Sequence, residues 1–426
     1  INYCNERGIH VQAYSSLGTS SNTNLLQDPV VGRIKYSKLG KTGKPTEKEW
    51  TVLSGILLKK RDDSLSLIAL ATGTKCLGEL ELINADLEEK GCKLSDSHAE
   101  VLARRAFLRY LYEQIDLLLS HVKSDIFVID DERKIRLHDG ISFHFFTSQT
   151  PCGDCSIFPK EELYDDTTPP VKTRKCDDSF KKTTMLELDI DGKESHSMKD
   201  IYRTGAKCVK SECQDPRLSG VNYHVLGPLR TKPGRGDPTL SLSCSDKIAK
   251  WNILGLQGSL LSILIPSIRM ETIVIGGGCP FSLDAMERGL YKRFNKDGCN
   301  LKILQTSVAF AQKKSHDRKY PCPSSIVWCA VRNRHTEVAV DGRKQGATKK
   351  KKGSNLLISR RALFGQFLKV CDKYHGSDID IRHPKKLTYL DFKKWSTYYQ
   401  KSWQTLKLGS FHAWPSKPSY LQSFVL

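Results

Sequence analysis

Three short segments of the sequence carry side chains that can bind a metal ion and move a proton. His98 and Glu100 lie two residues apart, Cys152 follows a proline, and Cys244 lies between two serines. A histidine this close to a glutamate at a helix start can place its imidazole on a metal and the carboxylate beside a metal-bound water. Thiolates at helix N-termini are stabilised by the helix dipole and are good zinc ligands.

The order of these segments indicates a reaction type. His98-Ala99-Glu100 is followed by Pro151-Cys152-Gly153-Asp154-Cys155, and H-x-E followed by P-C-x-x-C is a signature of zinc nucleobase deaminases. One histidine and two cysteines leave the fourth zinc position to water, as a catalytic site requires. Zinc would lower the pKa of that water toward neutrality. Glu100 would take its proton and deliver it to the base and the leaving amine.

Each segment alone also has an ordinary structural explanation. Glu100 could be a first-turn carboxylate that only stabilises its helix, and His98 could be a solvated helix end. Cys152 and Cys155 could form a structural zinc site or a redox pair. The order of the segments and their positions on predicted elements favour the deaminase site.

Composition restricts the class of partner and the compartment. The 426-residue chain has a formal net charge of +20, from 67 Lys and Arg against 47 Asp and Glu. This surplus favours polyanionic partners. No run approaches the roughly 20 apolar residues of a membrane span, and the 14 cysteines follow no disulfide framework. We expect a reducing compartment, cytoplasm and/or nucleus, with neither a membrane nor an obligate protein partner.

The hydrophobic pattern predicts a mixed α/β fold. The strongest helix is predicted over residues 97–119, with an N-cap at Asp96 or Ser97. Residues 50–58 fit a helix or a buried strand. The turn at Pro151 leads into another predicted helix. The remaining predicted elements are strands at 65–71, 141–146 and 271–275, a helix at 245–265 and a helical tail from Ser359.

The first 32 residues differ from the rest of the chain. Residues 8–18 read as an alternating strand and a turn, and they resemble a barrel-strand segment of the aldo-keto reductases. Some 30 residues cannot form a barrel of roughly 250. We interpret residues 1–33 as an N-terminal extension, either a fused or artefactual segment or an unrelated strand and loop. Residues 34–426 are then one catalytic domain with a polar surface insertion at 160–200.

From about residue 34 the sequence resembles the adenosine deaminases acting on RNA. The matching motifs are residues 72–76 (T-G-T-K-C), 96–105 (D-S-H-A-E-V-L-A-R-R), 150–154 (T-P-C-G-D) and 243–252 (S-C-S-D-K-I-A-K-W-N). Residues 202–208 and 232–237 resemble the tRNA-specific type 1 branch. The sequence ahead of the matching region is also too short for the double-stranded-RNA-binding domains that mRNA editors carry.

The resemblance implies a fold and a reaction. The fold is a cytidine-deaminase-like three-layer α/β core elaborated with C-terminal helices. The reaction is deamination of adenosine to inosine in tRNA, at the adenosine 3′ of the anticodon in alanine tRNA. The alternatives are an editing deaminase of mRNA or double-stranded RNA and a catalytically inactive RNA-binding relative.

The resemblance also assigns the zinc ligands. It implies that His98, Cys152 and Cys244 bind zinc and that Glu100 is the catalytic residue. The family has alanine where this chain has Cys155, so two thiols compete to be the third ligand. We favour Cys244 over Cys155.

A second polyanion is implied as well, since this family buries inositol hexakisphosphate in its catalytic domain. Cations on both metal-bearing helices need an anion if they are buried, and the alternative is that they are solvated helix faces. Two positions depart from the family, Ser95 in place of asparagine and Trp403 in place of the mRNA editors' lysine. The matching positions are Arg104, Arg105, Lys247, Lys250, Arg360, Tyr389, Lys393, Tyr399, Trp414 and Lys417.

Further residues are candidates for contact with RNA, whose target base must flip out of its stack. Thr74 and Lys75 match substrate-side positions of the family. The loops at 203–213 and 230–237 flank the site in sequence. Their candidate backbone contacts are Arg203, Lys207, Lys210, Arg230, Lys232 and Arg235. The charge run at 349–352 is either a solvated loop or a tRNA contact.

Overall fold

The computed structural model describes residues 35–83, 90–160, 200–234, 237–294, 301–347, 355–374 and 387–426. The reductase-like segment at 1–32, most of the insertion at 160–200, Arg235 and the charge run at 349–352 lie outside the described residues. The division into an extension at 1–33 and a domain at 34–426 therefore stays a prediction.

The strands and helices alternate along the chain. The strands are β1 (Glu49–Trp50), β2 (Leu53–Lys59), β3 (Leu65–Thr72), β4 (Thr74–Cys76), β5 (Asp96–His98), β6 (Phe127–Ile129), β7 (Ile135–Leu137), β8 (Ser142–Thr147), β9 (Phe158–Pro159), β10 (Ile201–Tyr202), β11 (Lys207–Cys208), β12 (Arg230–Thr231), β13 (Thr272–Gly277), β14 (Lys302–Ala309), β15 (Tyr320–Pro321), β16 (Ser324–Cys329), β17 (Thr336–Val340) and β18 (Arg343–Lys344). The helices are α1 (Glu79–Ile83), α2 (Ala99–Leu119), α3 (Cys244–Leu254), α4 (Gly258–Leu261), α5 (Leu283–Leu290), α6 (Arg360–Lys373), α7 (Tyr389–Trp395) and α8 (Thr397–Leu408).

An eight-stranded sheet forms the centre, in the order β14-β13-β8-β2-β3-β16-β17-β18. Strand β13 runs parallel to β8 and β14, and the other neighbours are antiparallel. Thr147, at the end of β8, pairs with Ile275 near the end of β13 and with Ser54 near the start of β2. These termini therefore lie at one edge of the sheet, and the Cys152 turn follows β8 at that edge.

Helix α2 is the main support of the sheet. It contacts β2, β3 and β16 on one side and α6 on another. Its side chains Leu102, Phe107 and Leu111 are fully buried, and Phe107 meets Phe143 of β8 edge-on at 5.1 Å. Complete burial of one such side chain stabilises the fold by about 1.5–3 kcal/mol. A helix fixed this firmly can hold a reactive group at its N-terminus.

The C-terminal helices form a further layer. Helix α6 contacts α2, α7 contacts α4, and α8 contacts both α3 and α4. The predicted mixed α/β, cytidine-deaminase-like fold with added C-terminal helices is confirmed. Within the described ranges, no helix combines the length and the apolar composition that a membrane span needs.

Several element boundaries differ from the sequence prediction. The helix predicted over 245–265 is two helices, because α3 ends at Leu254 and Gly255 adopts a φ of 92° that favours glycine. The turn after Pro151 leads only into a 3-10 turn (Asp154–Ser156) and the short strand β9. Residues 50–58, for which the sequence fits either a helix or a buried strand, contain strand β2. The N-cap of α2 is His98, since Asp96 and Ser97 belong to β5.

Candidate active site

A short strand pair positions His98. Strand β5 ends on this residue, where the backbone is still extended (φ −66°, ψ 142°), and α2 begins at the next. Thr74 of β4 pairs with His98 across the two strands. The His98 N–H donates to the Asp96 carboxylate at 3.0 Å. Strand pairing and the helix start together fix the direction of the imidazole.

The two thiols are held by the N-terminus of α3. Cys244 is the first residue of this helix, and its backbone N–H donates to Sγ of Cys152 at 3.4 Å. The Ser245 N–H and Oγ both donate to the carbonyl of Cys152, at 3.0 and 2.9 Å. Ser243 caps the helix by accepting from the N–H of Asp246. The Cys152 turn and the start of α3 are therefore one rigid unit.

These elements bring the predicted ligands together. Nδ1 of His98 lies 3.9 Å from Sγ of Cys152 and 3.6 Å from Sγ of Cys244. The ligand atoms of all three residues lie within 4.8 Å of one another. A hydrogen bond from Cys244 holds the pKa of Cys152 well below its usual value, while burial raises the pKa of Cys244. One nitrogen and two sulfur donors at this spacing fit a soft divalent metal with one coordination position left over.

Cys155, the competing thiol, lies apart from this group. Its Sγ is fully buried, 4.0 Å from the carbonyl of Met286 in α5. A Cβ at Gly289 would come within 2.4 Å of the same sulfur. Burial raises the pKa of Cys155 to about 12, so this thiol is neutral. The geometry therefore brings Cys244, and not Cys155, next to His98.

Glu100 lies in the first turn of α2 with 3% of its surface exposed. Its Oε2 atom has no hydrogen-bond partner among the described residues. Burial raises the pKa of this carboxyl group. A buried polar atom without a partner costs about 1–3 kcal/mol. Such an atom fits a site that receives a water molecule or a substrate atom.

Asp96 links this site to a group of cations. Lys232 donates to Oδ2 of Asp96 at 2.7 Å, and Lys247 donates to the same oxygen. Burial alone would raise the pKa of Asp96, but these two ammonium groups hold it well below its usual range. Cys76, which the sequence did not single out, lies within 4.8 Å of Asp96 and His98. Because Asp96 already pairs with two lysines, this second group is not an independent metal site.

Lys232 differs from its sequence prediction. It was expected to contact RNA, but only 2% of its surface is exposed and its ammonium pairs with Asp96. A fully buried ammonium is not accessible to an RNA backbone. Lys232 therefore belongs to the interior network. Arg230, expected in the same role, is 0% exposed and pairs with Asp215, so it is not accessible to RNA either.

The cations predicted to bind inositol hexakisphosphate lie close enough together to lower one another's pKa values. Burial and then the neighbouring Arg360 lower the pKa of Arg105 to about 9. Burial lowers the pKa of Lys417 well below its usual value, with Arg360 and Lys247 adding to the effect. Lys417 keeps accessible surface, and that surface faces a cavity that Arg360 also lines. In the described part of the chain, Asp96 is the carboxylate that pairs with any of these cations.

Aromatic side chains contact the cations of this group. The Lys250 ammonium lies 3.3 Å from the ring centroid of Trp403 and 4.9 Å from that of Trp414. The Arg104 guanidinium lies 5.0 Å from the Trp251 ring. Trp403, where mRNA editors have lysine, therefore contacts a cation through its ring face. Tyr389 and Tyr399 are also predicted members. Burial would raise the pKa of Tyr389, but Lys393 and Arg360 lower it. Burial raises the pKa of Tyr399 to about 12.

The predicted RNA contacts are only partly accessible. Thr74 and Lys75 lie on β4 beside His98, and Oγ1 of Thr74 is buried without a partner among the described residues. Arg203 and Lys207 are exposed, and the Arg203 guanidinium lies 4.1 Å from the Tyr223 ring. Arg235 lies outside the described residues.

Comparison with known proteins identifies the family. Residues 69–418 match the family model of the adenosine-deaminase (editase) domain. The chain is 32% identical to "tRNA-specific adenosine deaminase 1" of Homo sapiens, over 91% of this chain and 96% of that protein. It is 33% identical to the protein of the same name from Drosophila melanogaster, over 92% and 94%. A "Double-stranded RNA-specific adenosine deaminase" of Mus musculus is 26% identical over 88% of this chain but 30% of its own length. The chain belongs to the adenosine-deaminase (editase) domain family.

Proposed function

We propose that this chain catalyses the zinc-dependent hydrolytic deamination of adenosine to inosine in tRNA. The observation that carries the proposal is the convergence of His98, Cys152 and Cys244 beside the partnerless carboxylate oxygen of Glu100. The relatives named for tRNA are matched over nearly their whole length, whereas the relative named for double-stranded RNA is matched over 30% of its length. This difference favours tRNA as the substrate class.

The chemistry follows from the side chains. When bound to one imidazole and two thiolates, zinc supplies Lewis-acid activation of water at neutral pH. Glu100 would accept one proton of the attacking water on Oε2 and pass it to the purine ring, and would then carry the second proton, from the new C6 hydroxyl, to the leaving amine. Water oxygen is added at C6 and ammonia leaves, so adenosine and water give inosine and ammonia.

We propose inositol hexakisphosphate as the ligand of the cationic cavity. Arg104, Arg105 and Lys250 are too enclosed to be ordinary solvated cations, since burial lowers the pKa of each. One carboxylate, that of Asp96, cannot neutralise them. A compact polyphosphate would supply several charges and accept many charge-assisted hydrogen bonds at once.

We propose the adenosine 3′ of the anticodon in alanine tRNA as the target. Exposed Arg203 and Lys207, together with Arg235, would contact the RNA backbone, and Thr74 and Lys75 would lie beside the flipped base. The cysteines of the described part of the chain have free thiols, which suits action in the cytoplasm and/or nucleus.

The direct test is incubation with alanine tRNA, followed by sequencing for inosine at that adenosine. Long duplex RNA and a tRNA without adenosine at this position are the comparison substrates. Inosine in alanine tRNA alone supports the proposal. Inosine in duplex RNA alone would favour the mRNA-editing alternative, and RNA binding without any inosine would favour the inactive relative.

A further inference from the structure

A buried charge cluster organises the segment between β10 and β12. Arg230 is 0% exposed and donates to both carboxylate oxygens of Asp215, at 2.6 and 2.7 Å. It also donates to the carbonyl of Val225 at 2.6 Å. Nδ1 of His224 lies 3.0 Å from the same carboxylate, at an angle that departs from an ideal hydrogen bond. The Asp215 carboxylate and the Arg230 guanidinium thus hold together strand β12, the loop at Asp215 and the loop at residues 224–225.

His224 extends this cluster to Thr204. The Thr204 N–H donates to Nε2 of His224 at 3.3 Å, which requires that nitrogen to be unprotonated. The ring proton is then on Nδ1, the nitrogen that faces Asp215. This arrangement fixes the backbone of Thr204.

Thr204 in turn contacts the metal-site turn. Its Oγ1 accepts from the N–H of Gly153 at 3.1 Å, and Gly153 directly follows Cys152. The segment is fastened to the same turn a second time, because the N–H of Gly227 donates to the Asp154 carboxylate at 2.8 Å. Gly153 has a φ of 104°, and its N–H finds its acceptor outside the turn, in the Thr204 hydroxyl.

We infer that Thr204 is a positioning residue for Cys152, and that Arg230, Asp215 and His224 hold Thr204 in place. Thr204 acts through the Gly153 amide and not on the substrate. The inference rests on the proposed zinc-binding role of Cys152. Since exposed Arg203 is the neighbour of Thr204, RNA contact and the placement of a zinc ligand belong to one structural unit.

The test compares three variants of the zinc-loaded protein. Thr204→Val keeps the branched shape but removes the acceptor, and Thr204→Ser restores it. Thr231→Val is the matched control on the same segment, because its hydroxyl makes only a long 3.5 Å contact with the Lys207 carbonyl. Zinc release to a colorimetric chelator is measured together with kcat and KM for tRNA.

We expect Thr204→Val to release zinc about 10-fold faster or more, the effect typical of losing an outer contact of a metal ligand. Its kcat should fall while KM stays near the wild-type value, and Thr204→Ser and Thr231→Val should behave as wild type. A folded Thr204→Val with wild-type zinc release and kcat would overturn the inference.

Two further results separate the inference from its premise. If Thr204→Val does not fold, His224→Gln serves instead, because it keeps the Thr204 hydroxyl but weakens its support. Unchanged zinc release by folded His224→Gln would then refute the positioning role. Wild-type protein that binds no zinc would refute the proposed function itself.

Discussion

Replacing Arg104 by methionine tests whether the cationic cavity holds an anion, because the change should lower the stability of the protein if an anion is bound and raise it if none is. Methionine keeps much of the apolar length beside Trp251 but removes the charge. The Nε atom of Arg104 is buried without a hydrogen-bond partner among the described residues. Besides burial, which is the main cause, Lys393 and Arg104 lower the pKa of Lys250. Arg104 is thus a buried cation that lies near another cation.

The magnitudes follow from these contacts. With a polyphosphate in the cavity, Arg104→Met removes one partner of a buried network and should cost about 3–5 kcal/mol. That is a large share of the roughly 5–15 kcal/mol that stabilises a domain. Without an anion, the change removes repulsion between like charges. Relief of that repulsion, together with the lost desolvation cost of the guanidinium, would raise the stability of the variant.

The assay measures soluble yield and thermal unfolding of wild type and Arg104→Met, made in normal cells and in cells that lack inositol hexakisphosphate. Lys394→Met is the control, since 68% of the Lys394 side chain is exposed and its loss should change stability by less than about 0.5 kcal/mol. Inositol phosphate released on denaturation is measured by mass spectrometry. We expect little soluble protein from Arg104→Met, from Lys247→Ala and from the deficient cells. A stabilised Arg104→Met, with normal yield and full activity from those cells, would show that no anion is bound among these cations.

Three further experiments test the remaining assignments. Glu100→Gln cannot accept a proton, so it should lose turnover yet keep zinc; robust inosine formation by this variant would refute the mechanism. Cys244→Ala should lose zinc while Cys155→Ala keeps it, and metal analysis giving the reverse would make Cys155 the ligand. Asp215→Asn leaves the guanidinium of Arg230 buried without its partner, so urea unfolding at pH 7 should show a loss of about 3–5 kcal/mol. Although burial opposes it, Arg230 keeps the folded-state pKa of Asp215 below its unfolded value. The stabilisation that the Asp215 carboxylate provides is therefore present above about pH 4 and lost as pH falls. If the difference in unfolding free energy between wild type and Asp215→Asn did not change with pH, this reasoning would be contradicted.

The site could be predicted from the sequence because its chemistry is encoded in short, local motifs. His98 and Glu100 lie two residues apart, and Cys152 and Cys244 each lie at a turn or helix start that the neighbouring residues indicate. Helix α2 could be predicted for a similar reason, since its buried side chains recur with helical spacing. Local patterns of this kind can be recognised in a sequence without knowledge of the fold.

Pairings between distant residues could not be predicted in this way. Lys232 lies between a threonine and a proline in a glycine-rich stretch that is typical of an exposed loop. Its partner Asp96 is 136 residues away, and no local pattern records that contact. Likewise, Trp403 departs from the mRNA editors, and only the structure shows its ring against Lys250.

Asp96 connects the group of cations to the catalytic site. Its Oδ1 atom accepts from the backbone N–H of His98, while its Oδ2 atom accepts from Lys232 and Lys247. Lys247 also lies near enough to Lys417 to lower its pKa. If the cavity lost its anion, Lys247 would have Asp96 alone to offset repulsion from its cationic neighbours. Any shift of Asp96 toward those cations would be transmitted to the backbone of His98, so an anion distant from the substrate can still control how the imidazole is held.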